Sequence, residues 1–356
     1  MRLQDIGWDS GLESQFSEYA VPGYTPGRIS AEFRDSYLLL SEAGEVRALL
    51  SGRFRHLADS GTDLPVTGDW VAFTRESGAG PAMIHAVLPR RSKFSRKQPG
   101  PGHTGEQVIA ANIDAVFIVM ALDRDFNVRR LERYLVLIWE SGASPVVVLS
   151  KADLCDVATL TARTAAVESI APGVPVHVVS NITGDGLSGL GVHLAPGRTV
   201  ALLGSSGAGK STLANRLLGA NVQATGEVRK DDSRGRHTTS YSRLIRLPSG
   251  ALLVDSPGLR ELQLWASDDG LDDAFEDVAT LARGCRFSDC RHESEPGCAV
   301  KQAVEAGTLD PGRYESYLRL RREVAFLNRK ENIDSYLADK RRRKALSKAV
   351  KRLKKH

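Results

Sequence analysis

The chain has no apolar run long enough to cross a bilayer. Its longest, "AVFIVMAL" at 115–122, is far short of the roughly 20 residues a helical span needs. The opening stretch, "MRLQDIGWDSGLESQF", carries acids and no apolar core, so it does not read as a secretory leader. A soluble, cytoplasmic protein is expected, with no membrane partner. Cysteine is also scarce, with four in 356 residues, at 155, 285, 290 and 298. Three of them fall within fourteen residues alongside a histidine, which suits a metal site in a reducing compartment and not a disulfide scaffold. Internal repeats are absent. Acid is missing from one place in particular: the tail "KRRRKALSKAVKRLKKH" (340–356) holds ten Lys or Arg and no Asp or Glu. Removing those ten charges from the net +5 leaves a body of about −5, so attraction for a polyanion is concentrated at the C-terminus.

What is present suits two or three domains: 356 residues, 42% hydrophobic and 26% charged, within the range of globular protein. Residues 1–28 include "VPGYTPGR" and show little periodicity, and read as a poorly ordered extension. From 29 to 98 come five short β-like runs, "RISAEF", "SYLLLS", "EVRALLSGRF", "DWVAF" and "AMIHAVL". Five short strands separated by turn residues predict a small barrel, with an OB-fold as the leading candidate. "QPGPGHTGEQ" (98–107) has linker composition. Over 106–266, continuous apolar strands alternate with amphipathic helical stretches, which predicts a mostly parallel sheet covered on both faces. A helical, cysteine-bearing region is expected over 267–335, and the basic tail over 336–356.

Four motifs carry chemistry in the second region. "GSSGAGKST", comprising Gly204, Ser205, Ser206, Gly207, Ala208, Gly209, Lys210, Ser211 and Thr212, follows the apolar "TVALL" and opens the helical "STLANRLLG". In that context G-x-x-x-x-G-K-[ST] is a phosphate loop: backbone N–H groups of Ser205 to Lys210 cradle phosphates, Lys210 reaches the β- and γ-phosphates, and Ser211 binds Mg²⁺. "ALLVDSPG" (251–258) is a strand ending in Asp-x-x-Gly. Asp255 is placed to hold Mg²⁺ through water, and the Gly258 N–H to contact a γ-phosphate. Alone, such a turn is common; its position about 45 residues after the phosphate loop lifts it above a chance loop. Between the two lies "DDSRGRHTTSYSR" (231–243), where Thr238 or Thr239 is a candidate second hydroxyl for the metal; without its neighbours it would read as a surface loop.

The fourth motif precedes the others. In Ser150, Lys151, Ala152 and Asp153, after "PVVVL", the Asp153 carboxylate can accept from guanine N1–H and the exocyclic amine together, a donor pair adenine lacks. The Lys151 stem can lie along the base. Asn is the usual first residue of this motif, and Ser150 is shorter. Asp153 also reads as a helix cap. Ser180 and Asn181, at the end of the next strand, are candidates for backbone contacts to the base. Beyond the sheet region, "CRFSDCRHESEPGC" supplies Cys285, Cys290, His292 and Cys298, three thiolates and an imidazole that close a tetrahedral Zn²⁺ shell and so form a structural site. Cys155 stands apart and reads as a small core or helix residue.

Base reader, phosphate loop, threonine loop and Asp-x-x-Gly, in that order, are a circular permutation of the small GTPase order. With "SKAD", "GSSGAGKST", "GRHTT", "DSPG" and "CRFSDCRHESEPGCAV", a preceding barrel and a following Cys₃His region, the chain resembles the ribosome small-subunit-dependent GTPase A (RsgA, or YjeQ) family over about 29–335. The resemblance implies an N-terminal OB-fold β-barrel, a central α/β circularly permuted P-loop GTPase domain and a C-terminal helical zinc-binding domain. It implies GTP hydrolysis to GDP stimulated by the small ribosomal subunit, a late role in that subunit's maturation, contact of barrel and zinc region with rRNA, and Mg²⁺ and one structural Zn²⁺ as cofactors. Ras-like switches place a Gln shortly after Asp-x-x-Gly, but here Leu259 and Arg260 follow, and neither positions a water as Gln does. His237, in "GRHTT", is the candidate for that role, with RNA or solvent contact as its alternative.

Two basic stretches with interleaved aromatics, "SGRFRH" (51–56) and "LPRRSKFSRK" (88–97), suit RNA phosphates and stacking, and read as well as a solvated face. In the tail, Ala345, Leu346, Ala349, Val350 and Leu353 form a thin apolar stripe, consistent with a helix on RNA or with a segment ordered only on binding. Competing readings are an RNA-binding adaptor that uses GTP to fix its shape, with incidental hydrolysis, and a cationic membrane-surface GTPase suggested by the tail alone. A monomer is expected.

Overall fold

A computed structural model of the chain describes residues 1–19, 23–58, 61–75, 80–97, 106–219, 242–256, 259 and 268–326. These fall into two compact units, one formed by 1–96 with 107–263 and the other by 97–106 with 264 onward. No described helix is long and apolar enough to cross a membrane.

The first unit begins with a closed barrel of β1 (Thr25–Glu32), β2 (Tyr37–Ser41), β3 (Gly44–Leu50), β4 (Trp70–Thr74) and β5 (Ala82–Val87). The strand order β1-β2-β3-β5-β4 returns to β1 through the antiparallel β1–β4 pairing. Only β3–β5 is parallel. Alternate residues fill the interior: Ile29, Leu39, Val46, Ala48, Val71, Phe73, Ala82 and Ile84 pack as one buried cluster, as the period-2 geometry of strands requires. Register breaks in β1 between Ile29 and Ala31 and in β4 between Ala72 and Phe73 bend the strands enough to close so small a sheet. "SGRF", expected to continue the third strand, instead opens a helix, α2 (Gly52–Leu57), after α1 (Ser10–Ser17) near the N-terminus. Ser51 stops the strand because its hydroxyl accepts the Phe54 N–H at 3.1 Å as an N-cap.

The N-terminal residues differ from the expected loose extension. Residues 3–6 form a 3₁₀ turn, Asp9 caps α1 by accepting the Leu12 N–H at 2.9 Å, and Ile6 and Leu12 are fully buried. The Trp8 ring meets Trp70 of β4 edge-on at 4.8 Å. Arg28 is buried and donates to the carbonyls of Ile6 (2.6 Å), Gly68 (3.2 Å) and Asn112 (2.9 Å). Burial draws its pKa down to about 10, so it remains a cation shared among the N-terminal turn, the barrel and the sheet region. Periodicity could not report this, because Leu3, Ile6, Trp8 and Leu12 straddle a left-handed Gly7 and belong to no single helical or strand face.

A second cation, partly buried, allows a stability prediction. Arg90 forms two parallel bonds to the fully buried Asp69, at 2.8 and 2.7 Å, and donates to the carbonyls of Thr62 and Leu64. Arg90→Ala strands a buried carboxylate, and urea unfolding should show a loss of about 3–5 kcal/mol. Adding Asp69→Asn should recover part of that loss; an Arg90→Ala protein as stable as wild type would contradict it.

A ribbon of β6 (Lys93–Lys97) and β7 (Glu106–Ala111) leads to the α/β part, whose strands are β8 (Ala115–Ala121), β9 (Ser144–Ser150), β10 (Val176–Val178), β11 (Thr199–Leu203), β12 (Arg243–Arg246) and β13 (Leu252–Asp255). Helices α3 (Val128–Ser141), α4 (Val157–Ile170) and α5 (Lys210–Leu218) accompany them. The order is β10-β9-β8-β11-β13-β12, parallel except for β12. Every residue of β8 is buried, as a central parallel strand covered on both faces requires. Beyond β12 the sheet continues into the barrel, since Ala31 of β1 pairs with Arg243.

The second unit contains α6 (Asp268–Ala274), α7 (Glu276–Ala282), α8 (Ala299–Glu305) and α9 (311–326). Its buried residues include Phe275, Val278, Val300, Leu320 and Val324. Arg313 joins α9 to α7 by two bonds to Asp277 and lies 4.5 Å over the Phe275 ring.

Candidate nucleotide and metal sites

The phosphate loop runs from β11 into α5. Gly204, Gly207 and Gly209 have φ of 148°, 80° and 94°. A Cβ on Gly204 would lie 2.2 Å from the Val119 carbonyl oxygen of β8, so only glycine fits between the strands. The loop delivers Lys210 and Ser211 to the N-terminus of α5, where the helix's first N–H groups and its dipole favour an anion. The Lys210 ammonium folds onto its own loop, donating to the carbonyls of Gly204 (2.7 Å) and Ser205. Ser206 and Gly207 are exposed at the tip, Ala208 is buried, and Thr212 is partly buried in the first turn of α5.

The base-reading turn meets this loop from the adjacent strands. Ser150, buried at the end of β9, donates to the Ala208 carbonyl at 2.6 Å. Lys151 takes a left-handed φ of 61°, which turns the chain into the short 3₁₀ helix of Ala152–Leu154. The Asp153 carboxylate accepts from the Ser180 hydroxyl at 2.6 Å, and Asn181 donates from Nδ2 to the Gly209 carbonyl at 3.3 Å. Residues 150–153, 180–181 and 204–212 therefore gather at the C-terminal ends of parallel strands, where open α/β sheets bind ligands.

Three participants had not been singled out from the sequence. Asp123 and Asp125 lie in the loop after β8. Lys151 pairs with Asp123 at 2.8 Å and holds its carboxyl below the usual range. Asp125 accepts from the Ser205 hydroxyl and pairs with Arg130 at 2.8 Å. Burial works to raise the Asp125 carboxyl, and those two bonds outweigh it and lower it. Arg216 of α5 donates to the Asn181 and Ile182 carbonyls, both at 2.8 Å. "ALDRDFN" carries no motif; its signal is position, at the end of the strand beside β11.

Asp255 ends β13 opposite Arg243 in β12. The Ser256 and Ser242 hydroxyls share a bond of 2.6 Å, and the barrel's buried Thr67 donates to the Ser242 carbonyl at 3.1 Å. His237, Thr238, Thr239 and Gly258 lie outside the described residues, as does the basic tail.

In the second unit, one ligand atom from each of Cys285, Cys290, His292 and Cys298 falls within 4.8 Å of the others. Cys285 and Cys298 Sγ are 3.9 Å apart, and His292 Nδ1 is 3.5 and 3.4 Å from them. A tetrahedron with Zn–S of about 2.3 Å and Zn–N of about 2.1 Å has edges of about 3.8 and 3.6 Å, so the donor set fits zinc. Burial pushes the Cys290 thiol up to about 11. For Cys285 burial acts upward too, but the N–H groups of Ala299 and Val300 together with bonds from the Cys290 and Cys298 side chains outweigh it and lower the thiol. His292 has a left-handed φ of 63°, and its carbonyl accepts from the Tyr314 hydroxyl of α9 at 2.5 Å. Cys155 is separate from this cluster and donates to the Leu122 carbonyl at 2.9 Å.

Strand order and loop chemistry define the class. Counted from the phosphate-loop strand, β11, β12, β13, β8, β9 and β10 become first to sixth, and the sheet reads 2-3-1-4-5-6, a phosphate-loop nucleotide-binding domain whose chain break has moved. The profile of the RsgA GTPase family matches residues 87–265. The chain is 48% identical to the small ribosomal subunit biogenesis GTPase RsgA of Opitutus terrae, over 95% of this chain and 93% of that protein. It is 44% identical to the protein of the same name from Syntrophotalea carbinolica, over 99% and 98%. The chain belongs to the RsgA GTPase family and is a GTPase. Among solved structures, YjeQ from Thermotoga maritima is 26% identical with a TM-score of 0.65, covering 85% of this chain and 99% of that one. YloQ, a circularly permuted GTPase, is 22% identical with a TM-score of 0.63, over 86% and 97%, a likeness of fold. The relatives also correct the expected extent of the resemblance: at 99% coverage it takes in nearly all of residues 1–28.

Proposed function

We propose that this GTPase acts in biogenesis of the small ribosomal subunit, binding the subunit and hydrolysing GTP faster when bound, late in its maturation. The observation that carries this reading is the meeting of the Lys210 loop with the Ser150–Asp153 turn at one end of a sheet whose far edge is continuous with the barrel. Such continuity gives a barrel-bound partner a mechanical route to Asp255 and Ser256. Asp153 accepts from the guanine N1–H and amine, the Lys151 stem lies along the base, and Lys210 with the N–H groups of residues 205–210 holds the phosphates. Magnesium, held by Ser211 and by Thr238 or Thr239, with Asp255 acting through water, would neutralise phosphate charge. His237 positions the attacking water.

One zinc held by the Cys₃His set shapes the helical region at about 267–335, the barrel at 29–98 and this region contact rRNA, and the GTPase region spans about 106–266. Exposed Arg53, Arg55 and His56 on α2 suit phosphate contacts. The protein works as a cytoplasmic monomer. The test is GTP turnover of wild type and His237→Ala, with and without purified small subunits. Strong stimulation of wild type and little of the variant, with nucleotide binding intact, is expected. No stimulation of wild type would favour the adaptor, and equal stimulation of both would retain the GTPase and remove His237.

A further inference from the structure

We infer that the Asn181 carboxamide supplies the tie between the base-reading turn and the phosphate loop that Ser150 is too short to complete, and thereby sets affinity for the guanine nucleotide. The inference rests on the reading of Asp153 as the guanine acceptor and assigns Asn181 a side-chain role in the same cleft. A serine hydroxyl has one hydrogen to donate, whereas an amide NH₂ has two. Ser150 directs its hydroxyl to the Ala208 carbonyl at 2.6 Å. The next carbonyl, Gly209, accepts from Asn181 Nδ2 at 3.3 Å. Two consecutive carbonyls at the start of α5 are thus held from the base side, one by each residue. The site is tightly fitted: a Cβ on Gly209 would stand 3.1 Å from Asn181 Nδ2 and 3.7 Å from Ser150 Oγ.

Two further observations separate this from an incidental contact. Arg216 fixes the Asn181 and Ile182 carbonyls to α5 at 2.8 Å each, so the residue is anchored by its backbone whatever its side chain does. Asn181 is 6% exposed, and its Oδ1 is buried with no partner. Turning the amide over would set Oδ1 against the Gly209 carbonyl, acceptor to acceptor, so the network fixes its orientation. A buried acceptor without a donor is rare, and here it lies between Asp153's partner Ser180 and the phosphate loop. Through its Nδ2 bond Asn181 couples the base-side turn to the geometry of Gly209 and Lys210, and acts as a positioning residue.

The experiment is calorimetric titration of the full chain with GDP. Asn181→Ala should weaken binding about tenfold, equivalent to about 1.4 kcal/mol, and Ser150→Asn added to it should restore binding to within about threefold, since one NH₂ then serves both carbonyls. Asn181→Asp, nearly isosteric, should bind no better than Asn181→Ala, because it sets a carboxylate against the Gly209 carbonyl. Wild-type affinity in Asn181→Ala, or a double variant as weak as the single one with an unchanged unfolding midpoint, overturns the inference. Asp153→Asn, titrated with GDP and XDP, checks the reading beneath it separately: an unchanged preference for guanine would reject Asp153 as base reader, while the Asn181 tie would still stand or fall on the GDP series.

Discussion

Lys210→Ala should lower GTP turnover by about 10²–10³-fold, the scale of losing one charge-stabilising donor from a preorganised site. The ammonium donates to the carbonyls of Gly204 and Ser205 in its own loop, which keeps it at the mouth of the phosphate cradle. The variant loses its counter-charge to the transferring phosphoryl group but retains the loop, because Gly204, Gly207 and Gly209 set the backbone independently of the side chain. GDP affinity should therefore fall less than kcat. Lys210→Arg should not rescue activity, since a planar fork does not reproduce a compact ammonium. Steady-state turnover and GDP titration on the same preparations decide the matter; turnover within threefold of wild type would remove Lys210 from the phosphate site.

The second large effect concerns the Cys₃His cluster. Cys290→Ser should abolish stoichiometric zinc binding and cost the second unit its cooperative unfolding, because binding energy at a structural zinc is folding energy, of about 10–16 kcal/mol apparent in small zinc domains. A metal held there would join the 285–298 loop to the start of α8 through Cys298, its N-cap, and the Tyr314 bond to the His292 carbonyl brings in α9. Arg321 and Arg322 of α9 also reach this loop, at the Arg291 carbonyl and the Glu293 carboxylate, but those bonds are exposed and worth little, so chelation should act like the substitution. Cys290 resists ionising while buried, with its thiol near 11. Zinc must displace that proton, so affinity should rise with pH through the neutral range and fall as the solution is acidified. Metal analysis with thermal unfolding followed by circular dichroism tests this. A Cys290→Ser protein that retains one zinc per chain, or a metal-free wild type that unfolds at an unchanged midpoint, would contradict it.

The chemistry carried by contiguous residues was determined by the sequence alone. "GSSGAGKST" can be read because its glycines, lysine and serine act through local backbone geometry, and the four metal ligands because fourteen residues suffice to enclose an ion. The parallel strands were legible as unbroken apolar runs, since both faces of β8 and β9 are buried. β12 escaped notice because a four-residue strand with the pattern exposed, buried, partly buried, exposed carries too little signal. Three matters were decided only by tertiary structure. Residues 1–19 are ordered because Trp8 finds Trp70 and the Ile6 carbonyl finds Arg28, partners 62 and 22 residues away. The barrel joins the nucleotide sheet because Ala31 pairs with Arg243, a register that depends on both edges being in place. Ser150 and Asn181, far apart in the chain, bond the consecutive Ala208 and Gly209 carbonyls of the phosphate loop. Local motifs encode which atoms can bind, whereas ties between segments far apart in the chain arise only when the folded sheet brings their hydrogen-bonding groups together.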